Sequence, residues 1–173
     1  QQLEKRAALQ QELERLAQKD PLTNLYNRRR MDELLSLEVA RTKRNNRPFC
    51  LILGDIDHFK SVNDTYGHDC GDKVLTYVAT QLQGLIREND RCFRYAGDEF
   101  VITLASQTYQ EALMACKRLT QFFQDNPMPY EGSHLPITIS CGAAASDGKK
   151  SMETLLKQAD EQLYLHKKIG ITP

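Results

Sequence analysis

The spacing of apolar positions changes several times along the chain, and each change marks an element. Over residues 1–19, Gln, Glu, Lys and Arg surround Leu9, Leu13 and Leu16, which recur at four and then three residues and form one narrow helical stripe. The segment is too short to hold a helix alone in water. It either packs on its own domain or ends a coiled-coil stalk from an upstream region. Asp20-Pro21 stops it, because the residue before proline disfavours helix. Asn27 has the chemistry of an N-cap for a helix over about 28–44, with Met31, Leu34, Leu35 and Val39 inward. Phe49-Cys50-Leu51-Ile52-Leu53 reads as a buried strand and runs straight into Asp55-Ile56-Asp57. Residues 71–87 are helical by period, through Val74, Leu75, Val78, Leu82, Leu85 and Ile86. Residues 91–95 and 99–104 are short strands flanking a tight Ala96-Gly97-Asp98 hairpin. A helix from Tyr109 to Phe123 is ended by Pro127 and Pro129. A strand follows over Pro136 to Ala144, and Ser151 caps a last helix to about Lys168 with Leu155, Leu156, Ala159 and Leu163 inward.

From Phe49 to Ala144 the order is β-α-β-β-α-β, which predicts an α/β, ferredoxin-like fold with a central mixed sheet. The N-terminal helix occupies 1–19 and the domain 20–173. In this topology the first strand lies between the third and fourth, antiparallel to the third. The end of the first strand then meets the turn joining strands two and three, so Asp55 approaches Asp98 and Glu99. Three close carboxylates repel one another unless a cation is present. Oxygen-only ligands suit Mg²⁺ or Mn²⁺, which take much of their shell from water and substrate phosphates. Two such ions can stabilise both oxygens of an in-line phosphoryl displacement. Read singly, Asp98 is also a plausible turn former, and Asp55 and Asp57 are plausible polar punctuation after a strand.

Composition narrows the partners. The 173 residues make one domain with a short appendage, large enough to fold without disulfides. Lys plus Arg and Asp plus Glu each number 23, so there is no bulk attraction to nucleic acid or to an anionic membrane. Any anionic ligand must be held by a local cluster. The five cysteines are odd in number, widely spaced and without a CxxC, which argues against a disulfide framework or a structural zinc and for a reducing, cytoplasmic setting. No membrane span or signal peptide pattern is present. A chain that begins at Gln1 is expected to be a piece of a longer protein, tethered to a sensor or membrane region.

Arg94-Tyr95-Ala96-Gly97-Asp98-Glu99-Phe100 resembles the signature of the GGDEF family of diguanylate cyclases. So do Asp55-Ile56-Asp57-His58-Phe59-Lys60, Asn63-Asp64, Tyr66-Gly67-His68 and Gly71-Asp72. Asp20-Pro21-Leu22-Thr23 with Asn27-Arg28-Arg29 resembles the family's opening motif. Ile139-Ser140-Cys141-Gly142 and Ala159-Asp160 through Leu163-Tyr164 resemble its closing ones. The resemblance covers roughly residues 20–170 and implies a palm-like domain that condenses two GTP into cyclic di-GMP. It implies two Mg²⁺ or Mn²⁺ per site on Asp55, the Ile56 carbonyl, Asp98 and Glu99, with Asp98, Glu99 and Lys60 serving the chemistry. Asn63 and Asp72 would read guanine, a carboxylate accepting from both N1–H and the 2-amino group. His58 and Phe59 would offer backbone N–H groups to phosphate, Lys60 and Lys167 positive charge, and Ala96 and Gly97 the surface of the turn. Because each domain holds one GTP, a homodimer is required. The alternative is an inactive module of the same fold that senses GTP or cyclic di-GMP.

Two departures from the family matter most, beside Gln162 and His166, which replace usually small residues in the last helix. Ala96 replaces the first glycine of the signature, which adds a methyl and removes easy access to positive φ. Ile171 replaces an arginine that would grip terminal phosphates, and the last strand is cut short at Pro173. Upstream, Arg87-Glu88-Asn89-Asp90 stands where the family keeps a product-binding inhibitory site. The pair Arg87 and Asp90 is either that site, with Arg41 and Arg118 as candidate partners, or a helix-end salt bridge.

Overall fold

The computed structural model describes residues 1–169. Ile171 and the final strand expected at Pro173 lie outside them. Six helices and six strands follow in order: α1 (Gln2–Leu16), α2 (Arg28–Asn45), β1 (Phe49–Ile56), α3 (Phe59–Tyr66), α4 (His68–Leu85), β2 (Arg91–Arg94), β3 (Glu99–Ala105), α5 (Tyr109–Asp125), β4 (Met128–Tyr130), β5 (Ser133–Leu135), β6 (Ile139–Ala145) and α6 (Met152–Ile169). The predicted caps are in place. The Asn27 side chain accepts from the Arg30 N–H at 2.9 Å, and Ser151 Oγ accepts from the Thr154 N–H at 3.2 Å. Thr108 and Glu111 form a capping box on α5.

The sheet order is β2-β3-β1-β6. Among the described residues every pairing within this sheet is antiparallel, which corrects the expected mixed sheet. β1 and β2 do run the same way, as a crossover through α3 and α4 requires, but β3 returns into the gap between them. Strand β1 is buried along its whole length because both faces of the sheet are covered. Cys50, Ile52 and Ile56 pack with α4 and α5 on one face. Phe49, Leu51 and Leu53 pack with α2 and α6 on the other.

Two features outside the expected pattern shape the site. The helix predicted over 71–87 is preceded by a separate α3, so Asn63 lies on a helix and not in a turn. Residues 128–135 form a two-stranded hairpin, β4–β5. A Cβ on Gly71 would come within 1.9 Å of Asn63 Oδ1, so glycine here leaves the Asn63 side chain its place between α3 and α4. A Cβ on Gly142 would meet the Ala159 carbonyl at 2.1 Å, which is how α6 lies on β6. From there Gln162 Oε1 accepts from the Ala143 N–H at 3.3 Å, and His166 Nδ1 accepts from the Cys141 N–H at 3.2 Å.

Leu3, Leu9 and Leu13 of the N-terminal helix are 80, 61 and 58% exposed, so α1 does not pack on the domain through these three side chains. The chain then turns back. Asn27 donates its backbone N–H to the Gln18 carbonyl and its side-chain amide to the Ala17 carbonyl, and Tyr26 forms a parallel bridge with Phe93 along the edge of β2.

Candidate active site

The carboxylates converge as the topology requires. Asp55, near the end of β1, stands directly across from Glu99 at the start of β3. The Ile56 N–H donates to the Asp98 carbonyl at 3.1 Å, which ties the end of β1 to the β2–β3 turn. Within the turn, the Tyr95 and Ala96 N–H groups both donate to the Glu99 carbonyl, at 2.9 and 3.3 Å. Ala96 does not adopt a positive φ, so the methyl in place of glycine brings no backbone strain. A Cβ on Gly97 would meet no atom within 4 Å, so the turn faces open space.

Asp55 is buried and its Oδ1 has no hydrogen-bond partner. Its Oδ2 carries an ion pair with Lys167 of α6. Burial pushes the Asp55 carboxyl above the usual range. Lys167 opposes the shift, and Asp57 and Asp98 add to it. Burial also raises Glu99, helped by Asp98, Asp55 and Asp160. For Lys167, burial works against the charge, but Asp55 outweighs it, with Asp57 and Asp98 behind, and holds the ammonium above the ordinary lysine range. Like charges have thus been gathered at one point, and a tethered cation sits on the most buried of them. Among the described residues no group of three or more His, Cys, Asp or Glu side chains is arranged to hold a metal ion by itself, so any ion here would need ligands from outside the protein. The donors are hard oxygens and one of them is an orphan. That set suits a divalent cation completing its shell from water and phosphate.

Asp57 adds its charge to this cluster, but its oxygens are engaged elsewhere. Its two oxygens accept from Ser140 Oγ at 2.6 Å and Thr138 Oγ1 at 2.8 Å, and its N–H donates to the Thr138 carbonyl. It fastens β1 to β6. His58 adopts a left-handed conformation at the start of α3, with φ of 55°. The strained turn puts the first N–H groups of α3, among them that of Phe59, at the same sheet end. Lys60 is exposed in the first turn of α3. Asp72 is exposed in the second turn of α4, past the region where a helix dipole favours acids, which weakens that explanation of its presence. It borders an open groove of about 580 Å³ shared with Leu22, Thr76, Tyr77 and Met128.

A family profile described as "Diguanylate cyclase, GGDEF domain" matches residues 17–172. The chain belongs to the GGDEF family. It is 38% identical to the diguanylate cyclase DgcP of Pseudomonas aeruginosa over 151 residues, 87% of this chain and 22% of that protein. It is 39% identical to the response regulator PleD of Caulobacter vibrioides over 158 residues, 90% of this chain and 35% of that protein. The chain therefore spans about a third or less of these relatives. The crystal structure of the coiled coil and GGDEF domain of DgcB from Caulobacter crescentus, in complex with c-di-GMP, superposes with a TM-score of 0.88 at 28% identity. The match covers 99% of this chain and 91% of that one.

Within this GGDEF domain the second predicted site takes a different form. Asp90 is buried, and its oxygens accept from the backbone N–H groups of Arg87 and Ala105, each at 3.1 Å. The alternative of a helix-end salt bridge between the Arg87 and Asp90 side chains gives way to this backbone staple. Arg87, Asp90 and Arg118 line one cavity of about 120 Å³, whereas Arg41 lines another, with Arg47 and Arg91. Two site neighbours were not anticipated. Asp160 acts on Glu99 and lies seven residues before Lys167, two turns along one helix face, a spacing that was readable. Leu22 reaches the Asp72 groove from a distant loop, which no local pattern signals. No described helix is long and apolar enough to cross a membrane.

Proposed function

We propose that this domain is a diguanylate cyclase that condenses two GTP into cyclic di-GMP and releases two pyrophosphates. The observation that carries the reading is the convergence of Asp55, Asp98 and Glu99 beside an open turn, with Asp55 Oδ1 unpartnered and Lys167 on Oδ2. Asp55, the Ile56 carbonyl, Asp98 and Glu99 would hold two Mg²⁺ or Mn²⁺ ions. When bound, these supply charge stabilisation to the attacking and leaving oxygens of an in-line displacement. Asn63 on α3 and Asp72 on the neighbouring α4 would read the guanine edge. Lys60, Lys167 and the N–H groups of His58 and Phe59 neutralise and orient the phosphates. In each half-reaction the 3′-hydroxyl of one GTP loses its proton and bonds to the α-phosphorus of the other. The bond to the departing pyrophosphate breaks. Two domains must therefore face each other, and the exposed leucines of α1 are the surface through which a stalk would pair them and carry an upstream signal. Cyclic di-GMP is the product and, through Arg87 and Asp90, a feedback inhibitor.

The lack of strain at Ala96 removes one reason to prefer an inactive receptor of the same fold. Incubation with GTP and Mg²⁺, followed by chromatography for cyclic di-GMP and pyrophosphate, tests the reading. Tight GTP binding with no product at any protein concentration would overturn it.

A further inference from the structure

Arg94 ends β2 beside the signature turn and is bonded on two sides. Its Nε and Nη2 donate to the Gly97 carbonyl at 3.2 and 3.0 Å. Its Nη1 donates to both oxygens of Asp20, at 3.1 and 3.0 Å. The two side chains are 20 and 16% exposed, so the pair is largely shielded. Asp20 is itself pinned. Its carboxylate accepts from the Thr23 N–H at 2.9 Å and from Thr23 Oγ1 at 2.8 Å, and its own N–H donates to the Leu25 carbonyl at 2.7 Å. The Arg94 N–H is held by the Tyr26 carbonyl at 2.9 Å.

In a planar trans peptide, the carbonyl and the following N–H point in opposite directions. Two guanidinium donors on the Gly97 oxygen therefore fix the Gly97–Asp98 plane and aim the Asp98 N–H away from Arg94. The next plane, Asp98–Glu99, is fixed from the other side by the Ile56 N–H on the Asp98 carbonyl. With both flanking planes held, the backbone angles of Asp98 are set, and so is the direction of its Cα–Cβ bond. We propose that Arg94 is the positioning residue for Asp98, anchored by Asp20, so that the segment leaving α1 sets the pose of the signature acid. The reaction it serves rests on the function proposed above, but the geometry does not. Lysine cannot substitute, because an ammonium lacks the rigid fork that spans Gly97 and Asp20.

The test uses Arg94→Lys and Asp20→Asn in the full chain, read by steady-state kinetics with GTP and by the Asp98 amide in nucleotide-free protein. Arg94→Lys is expected to lower kcat by roughly 10- to 100-fold, with KM little changed. The Asp98 amide resonance shifts and its hydrogen exchange quickens, while the Phe93 and Leu25 amides hold. Asp20→Asn keeps the bonds to Gly97 and gives a smaller change of the same kind. An unmoved Asp98 amide in both variants, or wild-type kcat with only a lowered melting temperature, overturns the proposal. A wild-type protein that makes no cyclic di-GMP sinks the proposed function, and the amide readout then decides this one. If Arg94→Lys does not fold, the Asp98 amide of Asp20→Asn decides alone.

Discussion

The two ends of the sheet treat an aspartate in opposite ways. At the end formed by the β2–β3 turn, Asp55 is buried beside Asp98 and Glu99, one oxygen unpartnered and the other leaning on a lysine from α6. At the far end, Asp90 is equally buried, but two backbone N–H groups satisfy it. The first arrangement costs stability and leaves a charge in want of a partner. The second contributes stability and leaves little unmet demand. The four residues of β2 separate them, a span of about 13 Å. Burial alone does not mark a working acid. What separates the two is whether the fold has supplied the hydrogen bonds.

The comparison breaks most visibly through activity. Asp98→Asn is expected to lower cyclic di-GMP formation by about 10³-fold or more, some 4 kcal/mol of transition-state stabilisation. Its melting temperature should stay the same or rise, because a like charge is removed from Asp55 and Glu99. Turnover near wild type would remove Asp98 from the chemistry. A large loss of stability would make it a structural acid like Asp90.

Asp90→Ala should instead show in urea denaturation. Two buried backbone donors lose their acceptor, at a cost of about 3 kcal/mol. A midpoint within error of wild type would mean that water replaces the carboxylate and that the contrast between the sheet ends is empty.

Asp20 sharpens the comparison from a third position. Burial works against its charge, but the Thr23 bonds and Arg94 prevail and hold the carboxyl below the usual aspartate range. A depressed folded value contributes stability that is complete above the unfolded value and is lost as pH falls through the folded one. Asp20→Asn should therefore cost about 2 kcal/mol at pH 7. The gap should hold constant to about pH 5 and narrow below about pH 4. A gap that widens on acidification would reverse the sign of the shift.

The smallest expected effect is at Arg87, whose side chain is exposed. Arg87→Ala should change stability by less than about 0.5 kcal/mol, because the Asp90 staple uses the Arg87 backbone, which the substitution keeps. Calorimetric titration with cyclic di-GMP should nonetheless show weakened binding. Equal binding by both proteins would leave the cavity at Arg87, Asp90 and Arg118 without a ligand.

The convergence of Asp55 with Asp98 and Glu99 was legible because the element order dictates it: once β1 pairs with β3, the register follows. The resemblance gave Lys167 as positive charge for phosphate, but its ion pair with Asp55 was not legible, since nothing local says where the end of α6 points. Helix α3 was missed because its eight residues give only Phe59, Val62 and Tyr66 to mark a helical period, and none of them is fully buried. The β4–β5 hairpin hid behind Pro127 and Pro129, which read as the end of a helix and not as the start of a strand. The state of Asp90 was out of reach for a different reason. Its partners are main-chain donors, and a backbone N–H leaves no mark in residue type.

The edges of the sheet bear on how copies of this protein meet. On the β2 side, Tyr26 lies along the strand and the Arg94 N–H is spent on it. On the β6 side, Gln162 and His166 stand four helical residues apart, about 6 Å, and reach donors two strand residues apart, about 6.7 Å. Neither edge offers an uninterrupted ladder to a foreign strand. A foreign strand approaching either described edge of this sheet would find backbone donors already taken, so a second copy could meet the sheet through its helices and turns without rearranging it.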